Sequence, residues 1–302
     1  MTATTKAALQ GSEADGREAT RVRALLRLDF SRDAANGKTL LTDSLQEPPL
    51  KVVRAFTMED GAALVHLHNV SGGLLGGDHL ELQVNLGSGA QAQITTTGAT
   101  RIYRHREDFS PTTQCNEIAV GEGALLEYLP DAAIPFAGAR YLQYTSIQLA
   151  AGAGLFWWEI LAPGRGASGE LFAYEQLEVR TCISALGRKI AAENLCLHPA
   201  SREISSLARL GLYHYVATFY ICRVGVEAGA WRASEERLRE LTSSLTRRGE
   251  ILWGVSALVA HGLVVRCLAR NGLEILPGLQ AIWRCAKLHL YDRDVILPRK
   301  VN

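Results

Sequence analysis

Alternation with a period of two, interrupted at regular intervals by glycine, is the feature that most limits how this chain can fold. Leu80, Leu82, Val84 and Leu86 alternate with Glu81, Gln83 and Asn85, which makes one face of an extended segment apolar and the other polar. That is the pattern of a half-buried strand. A Gly-Ser-Gly turn at 87–89 follows, and Ala90, Ala92 and Ile94 then alternate with Gln91, Gln93 and Thr95. The strand resets across a short glycine-rich connection, as it does in a hairpin. The arrangement recurs in "EIAVGEGALLEYL" (117–129) and more loosely in "SIQLAAGAGLFWWEIL" (146–161). The turns fall at 87, 121 and about 152, spacings of 34 and about 31 residues. A repeat of that size predicts stacked β-layers, in which each pair of strands completes the core of its neighbour.

Only two segments carry a helical period. In "SEERLRELTSSLTRR" (234–248), Ser234 is suited to the N-cap, and Leu238, Leu241 and Leu245 share a face. In "ILPGLQAIWRCAKLHLY" (275–291), Pro277 fits the first turn, and Leu279, Ile282, Trp283, Ala286 and Leu290 form the stripe. Between them, "VSALVAHGLVVRCLA" reads as two strands joined at His261-Gly262. No repeated strand–helix alternation appears, which argues against a doubly wound α/β fold. The expected fold is mainly β, a layered β-helix-like stack of strands with two α-helices near the C-terminus. Residues 1–20 carry Glu13, Asp15 and Glu18 and no apolar run, the composition of a disordered tail and not of a signal peptide. Residues 21–302 are expected to form one β-rich domain.

Charge and cysteine usage narrow the function classes. A formal net charge of +1 argues against nucleic acid or an anionic membrane as the main partner. The uncharged apolar run at 251–265 is 15 residues and too short to span a bilayer. The six cysteines form no C-x-x-C pair, which argues against a zinc ribbon, a thioredoxin-like site or a disulfide scaffold. Reduced thiols in the cytoplasm are the resulting expectation.

The glycine-rich stretch "HLHNVSGGLLGGDHLEL" (66–82) resembles a phosphate loop only superficially. Asp78 and His79 stand where a P-loop needs Lys and a hydroxyl, and Asp78 would repel an anion. The formal G-x-G-x-x-G at Gly164, Gly166 and Gly169 is followed by strand-favouring residues, whereas dinucleotide binding needs a helix N-terminus there. His66 with His68, and Cys196 with His198, each place two ligand-type side chains on one strand face, yet neither pair has a third ligand nearby in sequence. No G-x-S-x-G elbow is present. More notable are acids inside apolar strands: Glu127 in "LLEYL", Glu159 in "FWWEIL" and Glu193 in "AAENL". Each either faces outward in the alternation or is buried at a cost.

Taken together and in order, "HNVSGGLLGGDHLEL", "ITTTGATRIYR", "LLEYLPDAAIPFAGARY", "FWWEILAPGRGASGELF" and "KIAAENLCL" resemble the urease accessory protein UreD (UreH) family. The resemblance covers about residues 23–300 and is densest over 64–196. The chain departs from the family pattern at its end, "PRKVN", where Lys300-Val301-Asn302 replaces a large apolar or aromatic residue after Pro-Arg.

The resemblance implies a non-enzymatic scaffold that binds the urease apoprotein and recruits UreF and the GTPase UreG, in a heteromeric complex dimerised through UreF. It implies no tightly bound cofactor and transient passage of Ni²⁺ through an internal, water-filled path. Ni²⁺ favours imidazole and thiolate, so a conduit is better lined by isolated carboxylates and carbonyls that let the ion leave. On matching motif positions, Asp78, Glu159, Glu170 and Glu193 are the expected lining or supporting residues of that path, with Thr100, Arg101 and Tyr103 as a second tier. Asp78 and Glu170 adjoin glycine-rich turns, where a carboxylate commonly serves the local backbone instead. Two other classes remain open at this point: an adaptor with no metal path, and a carbohydrate-active β-solenoid enzyme with paired carboxylates in a cleft.

Overall fold

A computed structural model describes residues 22–206 and 208–298 of the chain; the tail at 1–20 and the atypical end at 300–302 lie outside the described residues. The first third contributes β1 (Arg23–Arg32), β2 (Thr39–Gln46), β3 (Leu50–Lys51), β4 (Ala55–Thr57), β5 (Ala63–Asn69), β6 (His79–Leu86) and β7 (Gln91–Thr96). The middle supplies β8 (Thr100–Ile102), β9 (Thr112–Val120), β10 (Leu125–Tyr128), β11 (Ala133–Pro135), β12 (Arg140–Leu149), β13 (Gly154–Leu161), β14 (Gln176–Ala185) and β15 (Arg188–Leu197). The last part adds β16 (Tyr215–Arg223), α1 (Ala228–Leu245), β17 (Ile251–Ala257), β18 (Gly262–Ala269) and α2 (Ile275–Tyr291).

Two sheets face one another. The first has the order β15-β14-β12-β9-β6-β1-β2, and the second β17-β18-β16-β13-β10-β7-β5-β3, with β4, β8 and β11 attached at its side. Successive strands alternate between them: β6, β9, β12 and β14 are parallel neighbours in the first sheet, and β7, β10 and β13 in the second. The chain therefore winds as a layered stack, as the glycine spacing predicts. The expected hairpin at 87–89 is corrected. β6 and β7 lie in different sheets, and the turn carries the chain across the core rather than back along the same sheet. A short turn and an alternating pattern are common to both arrangements, and only pairing with the previous layer distinguishes them.

The turns stack as the strands do. Gly121 N–H donates to Leu86 O at 2.8 Å, and Ala150 N–H to Val120 O at 3.0 Å. A Cβ at Gly121 would stand 2.6 Å from that Leu86 oxygen, so the close approach of one turn to the next requires glycine. In the 66–82 stretch, Gly77 adopts φ +88°, a left-handed conformation that a side chain strains. The glycines there serve the backbone.

Inward-facing Leu26, Leu28, Leu82, Val84, Ile94, Leu126, Ile147 and Trp157 fill the space between the sheets, with Trp157 stacked 3.9 Å from the ring of Tyr128. The outer face of the second sheet is covered by α1 and α2, which makes a second core of Phe156, Trp158, Phe219, Val265, Leu279 and Trp283. That cover changes one strand reading. Gln93 and Thr95, expected on a polar exposed face, are fully buried there. Gln93 Nε2 donates to Ile296 O at 3.1 Å, and Thr95 Oγ1 to Leu129 O at 2.7 Å. Helix α2 spans the residues its period predicts, and its five stripe residues are buried. Helix α1 begins at Ala228, not at Ser234. Ser234 sits mid-helix with its hydroxyl donating to Ala230 O at 2.9 Å, because Trp231 is buried against the sheet and extends the helix upstream. The helix also ends at Leu245, before Arg247 and Arg248, where Thr246 turns to an extended conformation.

One buried ion pair fastens α2 to the sheet. Lys287 Nζ lies 3.0 Å from Glu127 Oε2, and Trp283 Nε1 donates to Glu127 Oε1 at 2.8 Å. Both charged side chains are at most 4% exposed. Removing one partner of such a pair strands a buried charge, whereas neutralising both does not. Lys287→Met is expected to destabilise the fold by about 3–5 kcal/mol, and Glu127→Gln/Lys287→Met to recover more than half of that loss, as read from urea denaturation. Equal losses in both would show that the pair itself, and not the stranded carboxylate, sets the cost.

Candidate functional site

Parallel pairing in register brings equivalent positions of successive layers side by side. In the first sheet, Asn116 pairs with Thr145, Thr145 with Thr181, and Thr181 with Glu193, which forms one polar row across β9, β12, β14 and β15. In the second sheet, Glu159 pairs with Thr218 and Thr218 with Arg266, a facing row across β13, β16 and β18. The next row inward, Ile118-Ile147-Ile183, is apolar and buried. The result is a polar seam through a hydrophobic sandwich.

Its side chains are hydrogen-bonded to one another. Gln143 Nε2 donates to Glu159 Oε1, and Thr181 Oγ1 donates to Glu159 Oε2 at 3.4 Å. Asn116 Nδ2 donates to Thr145 Oγ1 at 3.0 Å, and Gln114 Nε2 to Asn116 Oδ1 at 3.0 Å. The Tyr141 hydroxyl lies 3.0 Å from Oε1 of both Gln114 and Gln143. Toward the open edge, Glu193 accepts from Tyr220 Oη at 2.8 Å and from the Arg266 guanidinium at 2.8 Å. Arg266 is half exposed, so the seam reaches solvent there. A cavity of about 20 Å³ lies between Glu159, Thr181, Glu193, Thr218 and Tyr220. That volume holds one water molecule, with ample polar partners for it.

Burial pushes the Glu159 carboxyl up from its usual 4.5 to about 7; the hydrogen bond from Gln143 opposes the rise and the charge of Glu193 adds to it. Burial also raises the Tyr220 hydroxyl far above its ordinary value, with Glu193 contributing. The seam is thus a set of polar groups around a carboxyl that desolvation raises to about 7. It contains no imidazole or thiol among its cavity-lining groups.

The seven residues proposed from sequence fall in two places. Glu159 and Glu193 line the seam together. The other five lie at the end of the sandwich opposite the stacked glycine turns. Asp78 is buried under its own loop, where Oδ2 accepts the Leu75 N–H at 2.8 Å and its carbonyl accepts the Thr113 N–H at 2.9 Å. Its position shapes the turn ahead of β6. Glu170 is paired with Arg165, whose hydrogen bond holds the carboxyl below its usual value, and accepts from Ala137 N–H at 3.3 Å. It borders a broad groove of about 1170 Å³, with Tyr103, Arg104, His105 and Phe136. Thr100 and Arg101 lie on β8 beside β11, and Tyr103 packs edge-on against Phe136 at 5.0 Å. Sequence reasoning missed Gln143, Thr181, Thr218, Tyr220 and Arg266. The available signal was a polar residue in the inward phase of an apolar strand, as Thr181 is between Val179 and Ile183.

Two sheets, parallel through their middle strands and wound layer by layer, define a layered β-scaffold whose apolar core carries a polar seam. The family model for "UreD urease accessory protein" matches residues 22–302. A urease accessory protein UreD of Herpetosiphon aurantiacus is 47% identical over 281 residues, covering 93% of this chain and 97% of that protein. A UreD of Corynebacterium glutamicum is 32% identical over 244 residues, covering 80% and 83% respectively. The chain belongs to the UreD family of urease accessory proteins. Among the described residues, no helix is long and apolar enough to cross a membrane.

The raised Glu159 carboxyl has a direct consequence for stability. Between about 4.5 and about 7, the folded chain keeps a proton that the unfolded chain has lost, so this residue's contribution to stability falls as pH rises through that window. Glu159→Gln removes the slope. Melting temperatures measured from about pH 5 to about pH 8 are expected to show the variant gaining on the wild type as pH rises. Parallel profiles would show that Glu159 ionises in place without penalty.

Proposed function

We propose that this chain is a cytoplasmic, non-catalytic assembly factor that binds the urease apoprotein and, with UreF and the GTPase UreG, lets Ni²⁺ reach the urease active site, the polar seam serving as the ion's route. Family membership supplies the link to urease maturation. The row of oxygen donors from Asn116 to Glu193, facing Glu159 and Thr218, is the observation that carries the route.

The donor set suits a cargo in transit. Hydroxyl, amide and carboxylate oxygens replace part of a cation's hydration shell without the retention that thiolate or imidazole gives a borderline-soft ion. A carboxyl whose proton is exchangeable near neutral pH, as at Glu159, accepts a cation in one state and releases it in the other. The 20 Å³ cavity admits one water and not a hydrated divalent ion. Passage therefore requires the edge between β15 and β18 to open, or the ion to shed water as it meets each oxygen. The same small volume is what favours the second reading, a bridging adaptor between urease and the other accessory proteins with no ion route of its own.

Co-expression of urease subunits and the remaining accessory proteins, with and without this chain, tests the assignment. Nickel per urease active site and urea hydrolysis are both expected to fall by roughly tenfold or more without it. Equal nickel content in the two preparations would refute it.

A further inference from the structure

The outer face of the first sheet holds a second constellation, unconnected with the seam. Strands β14 and β15 pair antiparallel with Glu178 directly opposite Cys196, and His198 follows immediately after the paired Leu197. Side chains alternate across a strand, so Glu178, Cys196 and His198 project away from the interior that Thr181 and Glu193 face. A carboxylate oxygen of Glu178, the Cys196 sulfur and an imidazole nitrogen of His198 all lie within 4.8 Å of one another. His198 Nε2 is 3.4 Å from Glu178 Oε1. Cys196 is exposed, and the other two are partly buried.

The surroundings hold these groups in place. Arg180 donates to Glu178 Oε2 at 3.0 Å, and Gln176 Nε2 donates to Oε1 at 2.9 Å, which fixes the plane of the carboxylate. Beyond β15, the His198 carbonyl accepts the N–H groups of Ser201 and Arg202 at 3.1 and 3.0 Å, so the chain is anchored where the imidazole emerges. Sequence alone showed only the Cys196/His198 pair; the register of the antiparallel strands supplies the third donor.

We propose that Glu178, Cys196 and His198 form a surface site for a borderline-soft divalent transition ion of the Zn²⁺ or Ni²⁺ class, bound through one thiolate, one imidazole and one carboxylate with a further position open to water. Sulfur and nitrogen donors exclude Mg²⁺ and Ca²⁺, which require oxygen shells. Three protein ligands with an open position are the arrangement of an exchangeable site, in contrast to the four-ligand closure of a structural one. The Arg180 guanidinium beside Glu178 opposes the ion's charge and loosens the site further. The site stands independently of the seam: 178, 196 and 198 face outward whether or not an ion passes inside.

Co²⁺ is the probe of choice, because a thiolate ligand gives a near-ultraviolet sulfur-to-cobalt charge-transfer band. Titration of the full chain with its thiols kept reduced is expected to give one Co²⁺ per chain with that band, displaced by Zn²⁺. The band is expected to vanish in Cys196→Ala and to persist in Cys182→Ala, another thiol on the outward face of β14. His198→Ala and Glu178→Gln are each expected to weaken binding by about tenfold or more. Absence of the band in the wild-type chain, or its survival in Cys196→Ala, would overturn the proposal.

Discussion

In-register parallel pairing between successive layers is the constraint on which the rest of this structure depends. Once β6, β9, β12 and β14 lie side by side, the side chain at one position of a strand must stand beside its counterpart in the next. A residue type repeated at one height becomes a continuous row. Apolar residues at the heights of Ile118, Ile147 and Ile183 make a wall, and polar residues one step along make a track. The same geometry that closes the core thus builds the seam, and neither can be moved without shifting the other.

Buried Glu127 and half-buried Glu159 show how differently this fold treats charge. Glu127, on the helix-facing side of the second sheet, meets Lys287 and Trp283 in a dry contact that locks α2 in place. Glu159, on the inward side, forms no ion pair among the described residues and meets amide and hydroxyl donors and a second carboxylate. Desolvation without a counter-ion favours the neutral acid. The first arrangement is an anchor. The second is an acid held near the pH at which it gives up its proton, and the cation in its row, Arg266, sits at the solvent edge engaging Glu193.

Much of the architecture was legible in the sequence, because strand alternation and glycine spacing are local signals. Leu80 to Leu86 point inward as their pattern requires, and α2 begins and ends where its stripe and Pro277 place it. What was not legible depended on distant packing. The start of α1 is set by Trp231 meeting the sheet, and the burial of Gln93 by a C-terminal segment lying over it. The destination of the 87–89 turn required knowing which strand waits on the far side. Glu159 and Glu193 were conspicuous as acids in apolar runs. Thr181 and Thr218, unremarkable by themselves, acquire meaning only when the register sets them in line with those acids.

The central claim, that the seam itself conducts the ion, is tested most directly by drying it without altering its shape. Thr181→Val/Thr218→Val replaces two hydroxyls lining the cavity with methyl groups of similar size. Nickel content of urease matured in cells carrying this variant, measured alongside capture of the urease–accessory complex, separates conduction from assembly. The account predicts intact complexes and nickel-poor urease. Intact complexes with fully loaded urease would contradict it.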